Sequence, residues 1–243
     1  IGSQTLSYFG LPVVFITMLL SYTLHWIAFI PAYLFKTEKF YDILGTIAYL
    51  SVTGLAIYFT LYLSEEKLQS RSIFVASLVI IWALRLGIFL LIRVLKNGED
   101  RRFREPMQSF SKFLLWWSMS AFWVFLTTLN AITMLTNNFD SIFDIFFIIG
   151  LIFWFVGFSI ELISDEQKRK FKLNPKNNEN FISNGLWNYS RHPNYFGEII
   201  LWIGISIMSL PTLVGFHFLS VISPGVIYFL LTRIRGVNLL EER

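Results

Sequence analysis

Long apolar runs separated by polar intervals dominate the chain. The first runs from about Tyr8 to Phe35 without a charged residue, with Pro12 and Pro31 near its ends. Others cover about Ile43 to Leu63, Ser72 to Leu95, Phe113 to Leu135 and Ile142 to Ile163. After a long polar interval come two shorter pieces, about Tyr195 to Leu210 and Leu213 to Leu231, joined through the sequence SLPT as an expected helical hairpin. A helix needs about 20 mostly apolar residues to cross roughly 30 Å of hydrocarbon. Membrane β-strands are shorter and alternate in polarity. Backbone hydrogen bonds must also be closed within lipid, so continuous runs of this kind predict helices. The expected fold is an all-α, polytopic integral membrane protein of about seven transmembrane helices.

The polar intervals give an orientation. Of the 20 Lys and Arg, sixteen follow runs one, three, five and seven, while Lys67 and Arg71 follow run two and Arg85 and Arg93 lie inside run three. The positive-inside rule then predicts the N-terminus outside and both large loops, with the C-terminus, in the cytoplasm. Composition agrees with a membrane protein: 55% of residues are hydrophobic and 15% charged, with 26 Phe. The absence of Cys excludes disulfides, thiolate nucleophiles and cysteine metal sites. His25, His192 and His217 are scattered without metal-ligand spacing, so no metal is expected. The +4 charge lies between apolar runs and does not form a basic, aromatic-interleaved surface, so no nucleic-acid partner is expected. Membrane lipids are the expected surroundings. The N-terminus lacks a cleaved-signal pattern, and Ile1 suggests a truncated or processed start.

Two polar intervals hold most of the candidate chemistry, Arg93 to Lys112 and Glu161 to Tyr195. Anchoring to anionic headgroups accounts for a single Lys of QKRKFK but not for the whole cluster. Glu161 and Asp165 share a helix face, with Lys168, Arg169 and Lys172 within the next two turns. A carboxylate at the lipid boundary, as Glu161 is, is a functional candidate. Arg85 should face a bundle interior or a water-filled cavity, with an internal ion pair as the structural alternative, and Arg93 should snorkel to the interface.

Asn184-Gly185 reads as a turn, and Ser190, Arg191, His192 and Asn194 gather just before the apolar face resumes at Phe196. Pro193 suits a first helical turn. Asn194, Glu198 and Trp202, four residues apart, form one stripe leading from the interface inward. Cations outside, hydrogen-bonding groups between and aromatics beneath suit an anionic, partly flat ligand: Arg grips phosphate, and Trp or Tyr lies against a ring. No glycine-rich dinucleotide loop or P-loop is present, so a dinucleotide would be held by side chains. Residue chemistry alone stops at an amphipathic anionic ligand.

The stretches DEQKRKF, NGLWNYSRHPNYFGEIILWIG and TRIRGVNLLEER resemble the membrane-embedded steroid 5α-reductase-like family of bacteria (the 3-oxo-5α-steroid 4-dehydrogenase type, DUF1295-like). ALRLGIFLLIR with GEDRRFREP resembles its earlier half, so the likeness covers roughly residues 80–243. The resemblance implies a multi-pass protein of a bacterial inner membrane that uses NADPH. Hydride would go to the β carbon of a 3-oxo-4-ene steroid or similar lipophilic, sterol-like enone, and a proton to the α carbon, giving the 5α product. It further implies an NADPH-binding half at 142–243, which leaves the helices within 1–135 as the substrate chamber. Motif against motif, the family's cofactor-binding acid falls on Asp165, its Asn/Glu helix pair on Asn194 and Glu198, and a basic position on Lys172. Glu161 stands where the eukaryotic enzymes usually carry Asn. Arg169, Asn184, Arg191, His192, Tyr195, Trp202 and Arg235 complete the expected cofactor set, with Arg102 and Arg104 as candidates for the 2′-phosphate.

The resemblance also implies a proton-donating Glu and Tyr from the N-terminal half, which no motif fixes. A tyrosine is the natural electrophile, because its O–H can donate to a carbonyl becoming an enolate. Tyr49, about two turns into run two, ranks first, with Glu38 and Tyr41 as the nearest alternatives. Tyr58 and Tyr62 fall toward the outer end, where belt aromatics are common. Two other functions compete: an S-adenosylmethionine-dependent membrane methyltransferase of the isoprenylcysteine class, and a non-enzymatic membrane scaffold or transporter. The first has less need of Arg101 to Arg104, and the second would be marked by inverted repeats.

Overall fold

In a computed structural model of the chain, the described residues are 6–63, 69–97, 100–137, 144–177 and 180–235, with the backbone alone at 63, 97, 101, 175 and 233–235. Seven helices among them are long and apolar enough to cross a membrane, so the chain is an all-α, multi-pass membrane protein. The ends differ from the sequence expectation in instructive ways. The first apolar run does not begin as helix: Ser7–Tyr8 (β1) pairs antiparallel with Leu11–Pro12 (β2). Phe9 and Gly10 form the connecting turn with φ of 50° and 77°, the positive pair that a tight two-residue hairpin requires. Helix α1, Val13–Leu34, starts directly after Pro12, whose extended ψ of 138° keeps it out of the helix.

Helices α2 (Tyr41–Leu63), α3 (Ser70–Asn97) and α4 (Phe110–Leu135) follow, each close to its apolar run. Helix α5, Ile145–Lys172, continues well past the expected end at Ile163. Its first turn is capped by Asp144, which accepts the Phe147 N–H at 2.6 Å. Its last turn carries Arg169, Lys170 and Lys172, the charge that suits the negative end of a helix dipole. Helix α6 is Pro193–Ser209. The last span is not one regular helix. It winds as a 3₁₀ helix over Gly215–Ile222, as α-helix α7 over Ser223–Phe229 and as a π-helix over Leu230–Arg235. Pro224 sits in the first turn of α7, where the N–H it lacks is not needed.

The chain forms two compact units, one of Ile1–Ile142 with Thr212–Ser220, the other of Phe143–Pro211 with Val221–Arg243. The first unit is organised around α4, which is buried along most of its length and packs against α1, α2 and α3. Polar side chains lock α1 to α4 inside this apolar bundle. Ser21 Oγ donates to Ala121 O at 2.9 Å. His25 Nδ1 donates to Ser21 O at 2.8 Å, which leaves Nε2 to accept from Ser120 Oγ at 3.2 Å. An aromatic cluster of Phe29, Tyr41, Phe103, Phe113 and Trp117 closes the end of the bundle where α2 and α4 begin.

The second unit is built on the antiparallel pair α5 and α6, which meet through glycines seven residues apart on each helix. A Cβ on Gly150 would stand 2.6 Å from Gly204 O, and one on Gly157 would stand 2.5 Å from Gly197 O. Lipid tails are as apolar as leucine, so helices in a membrane associate through close packing of this kind. The opposite side of α5 exposes Ile148, Ile149, Ile152, Phe155 and Val156, an apolar band suited to lipid.

Candidate functional site

Where the glycine seam ends, the facing surfaces of α5 and α6 become polar. Gly197 lies against the Glu161 backbone, with a Cβ there only 2.6 Å from Glu161 N. In an antiparallel pair, Asn194, nearly one turn earlier on α6, is therefore level with the α5 turn from Glu161 to Asp165. Glu161, Ser164 and Asp165 are all buried, at 3%, 0% and 5% exposure. Asn194 Oδ1 is also buried and has no hydrogen-bond partner among the described residues. Further along α6, Glu198 is half-buried and Trp202 is buried, continuing the expected stripe. Two carboxylates and an unmatched amide oxygen thus gather at the polar end of an apolar helix pair.

The segment leading into α6 is fastened to the polar extension of α5. Gly185 has a φ of +61°, and a Cβ there would collide with the Gln167 side chain. That close approach lets Gln167 Oε1 accept the Leu186 N–H at 3.0 Å. Trp187 is buried, donates from Nε1 to Ser164 O at 3.0 Å and carries the Lys168 ammonium over its ring at 4.9 Å. Gln167 and Trp187 escaped the sequence reading. Their signal is present, since both sit inside the quoted motifs, but neither carries a charge or a reactive group. At the start of α6, His192 precedes Pro193, which occupies the first turn as expected, and the His192 ring stacks on Tyr195 at 5.1 Å and 15°.

The expected cofactor residues divide into groups. Glu161 and Asp165 on α5 stand level with Asn194 on α6, Glu198 and Trp202 continue along α6 on the Asn194 side, and His192, Tyr195 and exposed Arg191 stand at the start of α6. Arg169 instead makes a two-pronged pair with Glu166, at 2.6 and 2.7 Å. Lys172 donates to Asn177 O at 3.0 Å and Asn180 O at 3.2 Å, closing the loop after α5. Asn184 is exposed at the head of the Gly185–Asn188 turn. Arg102 and Arg104 belong to the first unit, where Arg102 Nε grips Asp100 at 2.9 and 3.0 Å and Arg104 is exposed. The side chain of Arg235 lies outside the described residues.

In the first unit, the three candidate donors are each engaged. Glu38 is buried and accepts the Asp100 N–H at 2.8 Å, tying the loop after α3 to the start of α2. Tyr41 donates to Trp116 O at 3.0 Å. Tyr49 is buried, 2.8 Å from Thr127 Oγ1 and edge-on to Trp82. Thr127 Oγ1 also lies 2.8 Å from Trp123 O, which takes its hydrogen, so Tyr49 is the donor to Thr127. Tyr58 and Tyr62 are exposed and stacked on one another, as outward-facing belt residues would be.

Arg93 and Arg85, inside the third span, find partners within the protein. Arg93 reaches Asp42 at 3.0 Å and Asp100 at 3.9 Å. Arg85 is half-buried, with its guanidinium over the Phe89 ring at 5.6 Å. Arg71, read from sequence as an ordinary loop cation, is 1% exposed in the first turn of α3.

A family model described as "Protein of unknown function (DUF1295)" matches residues 28–243. No curated protein and no solved structure matches the chain.

Proposed function

We propose, from the premise that this chain belongs to the DUF1295 family, that it is an NADPH-dependent membrane reductase of lipophilic enones. The family includes steroid 5α-reductase-like proteins, which favours 3-oxo-4-ene steroids or sterol-like lipids as substrates and a 5α-saturated ketone as product. The observation that carries the reading is the buried, unmatched Asn194 Oδ1 level with the buried Glu161 and Asp165. An unmade hydrogen bond at a buried acceptor costs about 1–3 kcal/mol. A ligand rich in N–H and O–H donors removes that cost, and a nicotinamide riboside end has both.

Bound NADPH would supply the hydride. Asn194 would accept from the carboxamide, Glu161 and Asp165 from ribose hydroxyls, and the stacked His192–Tyr195 pair would give a flat wall. Arg191, exposed beside them, would meet phosphate. In the first unit, Tyr49 would turn its O–H from Thr127 to the substrate carbonyl oxygen as negative charge builds there. As the carbon–carbon double bond is lost, the β carbon gains hydride and the α carbon gains a proton. The buried aromatic surroundings of Tyr49 exclude water, which strengthens its hydrogen bond to the developing enolate. An orientation with the polar end of α5 and α6 facing the cytoplasm of a bacterial inner membrane would open the site to the cellular NADPH pool.

The test is NADPH oxidation by the detergent-purified chain across a panel of enones, with product mass and ring-junction configuration read out. A saturated 5α ketone formed in step with NADPH loss supports the reading. No oxidation above background with any enone rejects it, and copurified S-adenosylmethionine in place of a pyridine nucleotide would favour the methyltransferase.

A further inference from the structure

Within the first unit, the beginning of the last span docks on the end of α4 through side-chain hydrogen bonds. Ser220 Oγ donates to Asn130 Oδ1 at 2.7 Å. Asn137 Nδ2 donates to Thr212 O at 2.9 Å and lies 2.9 Å from His217 Nδ1. The bond to a carbonyl identifies the hydrogen-bearing end of the Asn137 amide, because only its NH₂ can donate there. His217 Nδ1 is therefore the acceptor, and the neutral ring carries its hydrogen on Nε2. His217 is 0% exposed, and Nε2 has no hydrogen-bond partner among the described residues. The result is a fully buried N–H donor with its tautomer fixed and no acceptor among the described residues.

A water molecule at this donor would receive no second hydrogen bond from Asn137 or Ser220. Buried waters typically make two to four hydrogen bonds. The neighbouring Asn137 NH₂ and Ser220 hydroxyl already direct their hydrogens to Thr212, His217 and Asn130. An oxygen held in place by the apolar body of a ligand needs no second partner. Helix α4 also provides a ruler. Thr127, which receives the Tyr49 hydroxyl, and Asn137, which holds His217, are ten positions apart. Asn137 lies two residues past the end of α4, so at a rise of 1.5 Å per residue the two are about 15 Å apart along the helix direction. That separation suits a rigid polycyclic lipid with an oxygen at each end and a hydrogen bond beyond each oxygen.

We infer that His217 Nε2–H binds the oxygen at the end of the lipophilic substrate remote from its reducible enone, and so selects lipids oxygenated at both ends. The inference rests on the reductase reading for the identity of the ligand, while the donor itself rests on the hydrogen bonds above.

Equilibrium binding to the detergent-purified full chain tests it without requiring turnover. The probes are androst-4-en-3-one, with no distal oxygen, and its 17-ketone, with NADPH oxidation followed in parallel. Wild type is expected to bind the 17-ketone about tenfold more tightly, the size of one buried hydrogen bond. His217→Phe should bind the two alike, at the level of the mono-ketone, and His217→Gln should keep part of the preference. Asn137→Asp provides a second test should His217→Phe fail to fold. A carboxylate beside Nδ1 draws the ring hydrogen to that nitrogen, so the ketone preference should vanish although His217 remains. No preference in wild type, or an undiminished preference in the variants, overturns the inference. A preference that depends on His217 without NADPH oxidation of either probe would uphold the donor and reject the reductase reading. Oxidation of both probes without a preference would do the reverse.

Discussion

The backbone of Glu161 occupies the space that a side chain on Gly197 would need, with its nitrogen 2.6 Å from a Cβ there. The carboxylate is therefore held at a fixed height in the seam by a backbone contact. Gly197→Ala should separate α5 from α6, costing about 1–3 kcal/mol as overpacked cores do, with loss of cofactor binding. Gly54 makes the contrast, because a Cβ there meets nothing within 4 Å. Gly54→Ala in the interior of α2 should leave activity unchanged and stabilise by up to about 1 kcal/mol. Melting curves of both variants decide the matter, and equal effects would show that the seam is not a close-packed contact.

Asn194→Leu separates binding from stability. It removes a buried oxygen that has no partner among the described residues, so the melting temperature should hold or rise, whereas loss of a satisfied group would cost about 1–3 kcal/mol and lower it. NADPH affinity should fall in the same preparation. A clear loss of stability with normal cofactor affinity would place Asn194 in the framework instead of the site.

Tyr49→Phe removes the hydroxyl while keeping the ring against Trp82. If that hydroxyl polarises the substrate carbonyl, kcat should drop about 10²–10³-fold, while the lost bond to Thr127 costs only about 1 kcal/mol of stability. Tyr41→Phe, which loses a bond to a backbone carbonyl, serves as the comparison. Retention of half the wild-type kcat by the Tyr49 variant would rule it out as the donor.

Acid should loosen the segment between α3 and α4. Burial alone would raise the Asp100 carboxyl, but hydrogen bonds and charge from Arg102, with the charge of Arg93, outweigh it and hold the group below its ordinary value. A depressed folded pKa gives stability that is present above the unfolded pKa and lost as pH falls through the folded one. Stability from this group should therefore be level down to about pH 5 and decline below the usual carboxylate range near 4. Asp100→Asn should flatten that acid limb in a melting-temperature profile, and an unchanged limb would assign the acid sensitivity elsewhere.

The spans were legible because lipid allows few alternatives: a run such as Phe113 to Leu135 can only be a helix, and it is one. The stripe of Asn194, Glu198 and Trp202 was legible from spacing and the polar turn before it. The exact end of α5 at Lys172 was not, because hydropathy marks only where lipid ends, although the spacing of Glu161, Asp165, Lys168 and Lys172 already carried the helix past Ile163. The pairing of Asp42 with Arg93 was hidden for another reason, since a partner 51 residues away leaves no local pattern. Glycines seven apart in two distant segments were visible, but their meaning depends on which helix faces which. Pro224 was visible too, but the change of winding around it required the backbone.

That change of winding alters how far the last span reaches. The 18 residues from Gly215 to Thr232 would extend about 27 Å as a regular α-helix, slightly short of a hydrocarbon layer of roughly 30 Å. Eight of them are wound as a 3₁₀ helix, at about 2.0 Å per residue in place of 1.5 Å, which adds about 4 Å and closes the gap. The tighter coil thus lets a short segment match the bilayer without thinning it. Relaxing those residues to an α-helix would leave the span hydrophobically mismatched and make the protein's stability depend on lipid chain length.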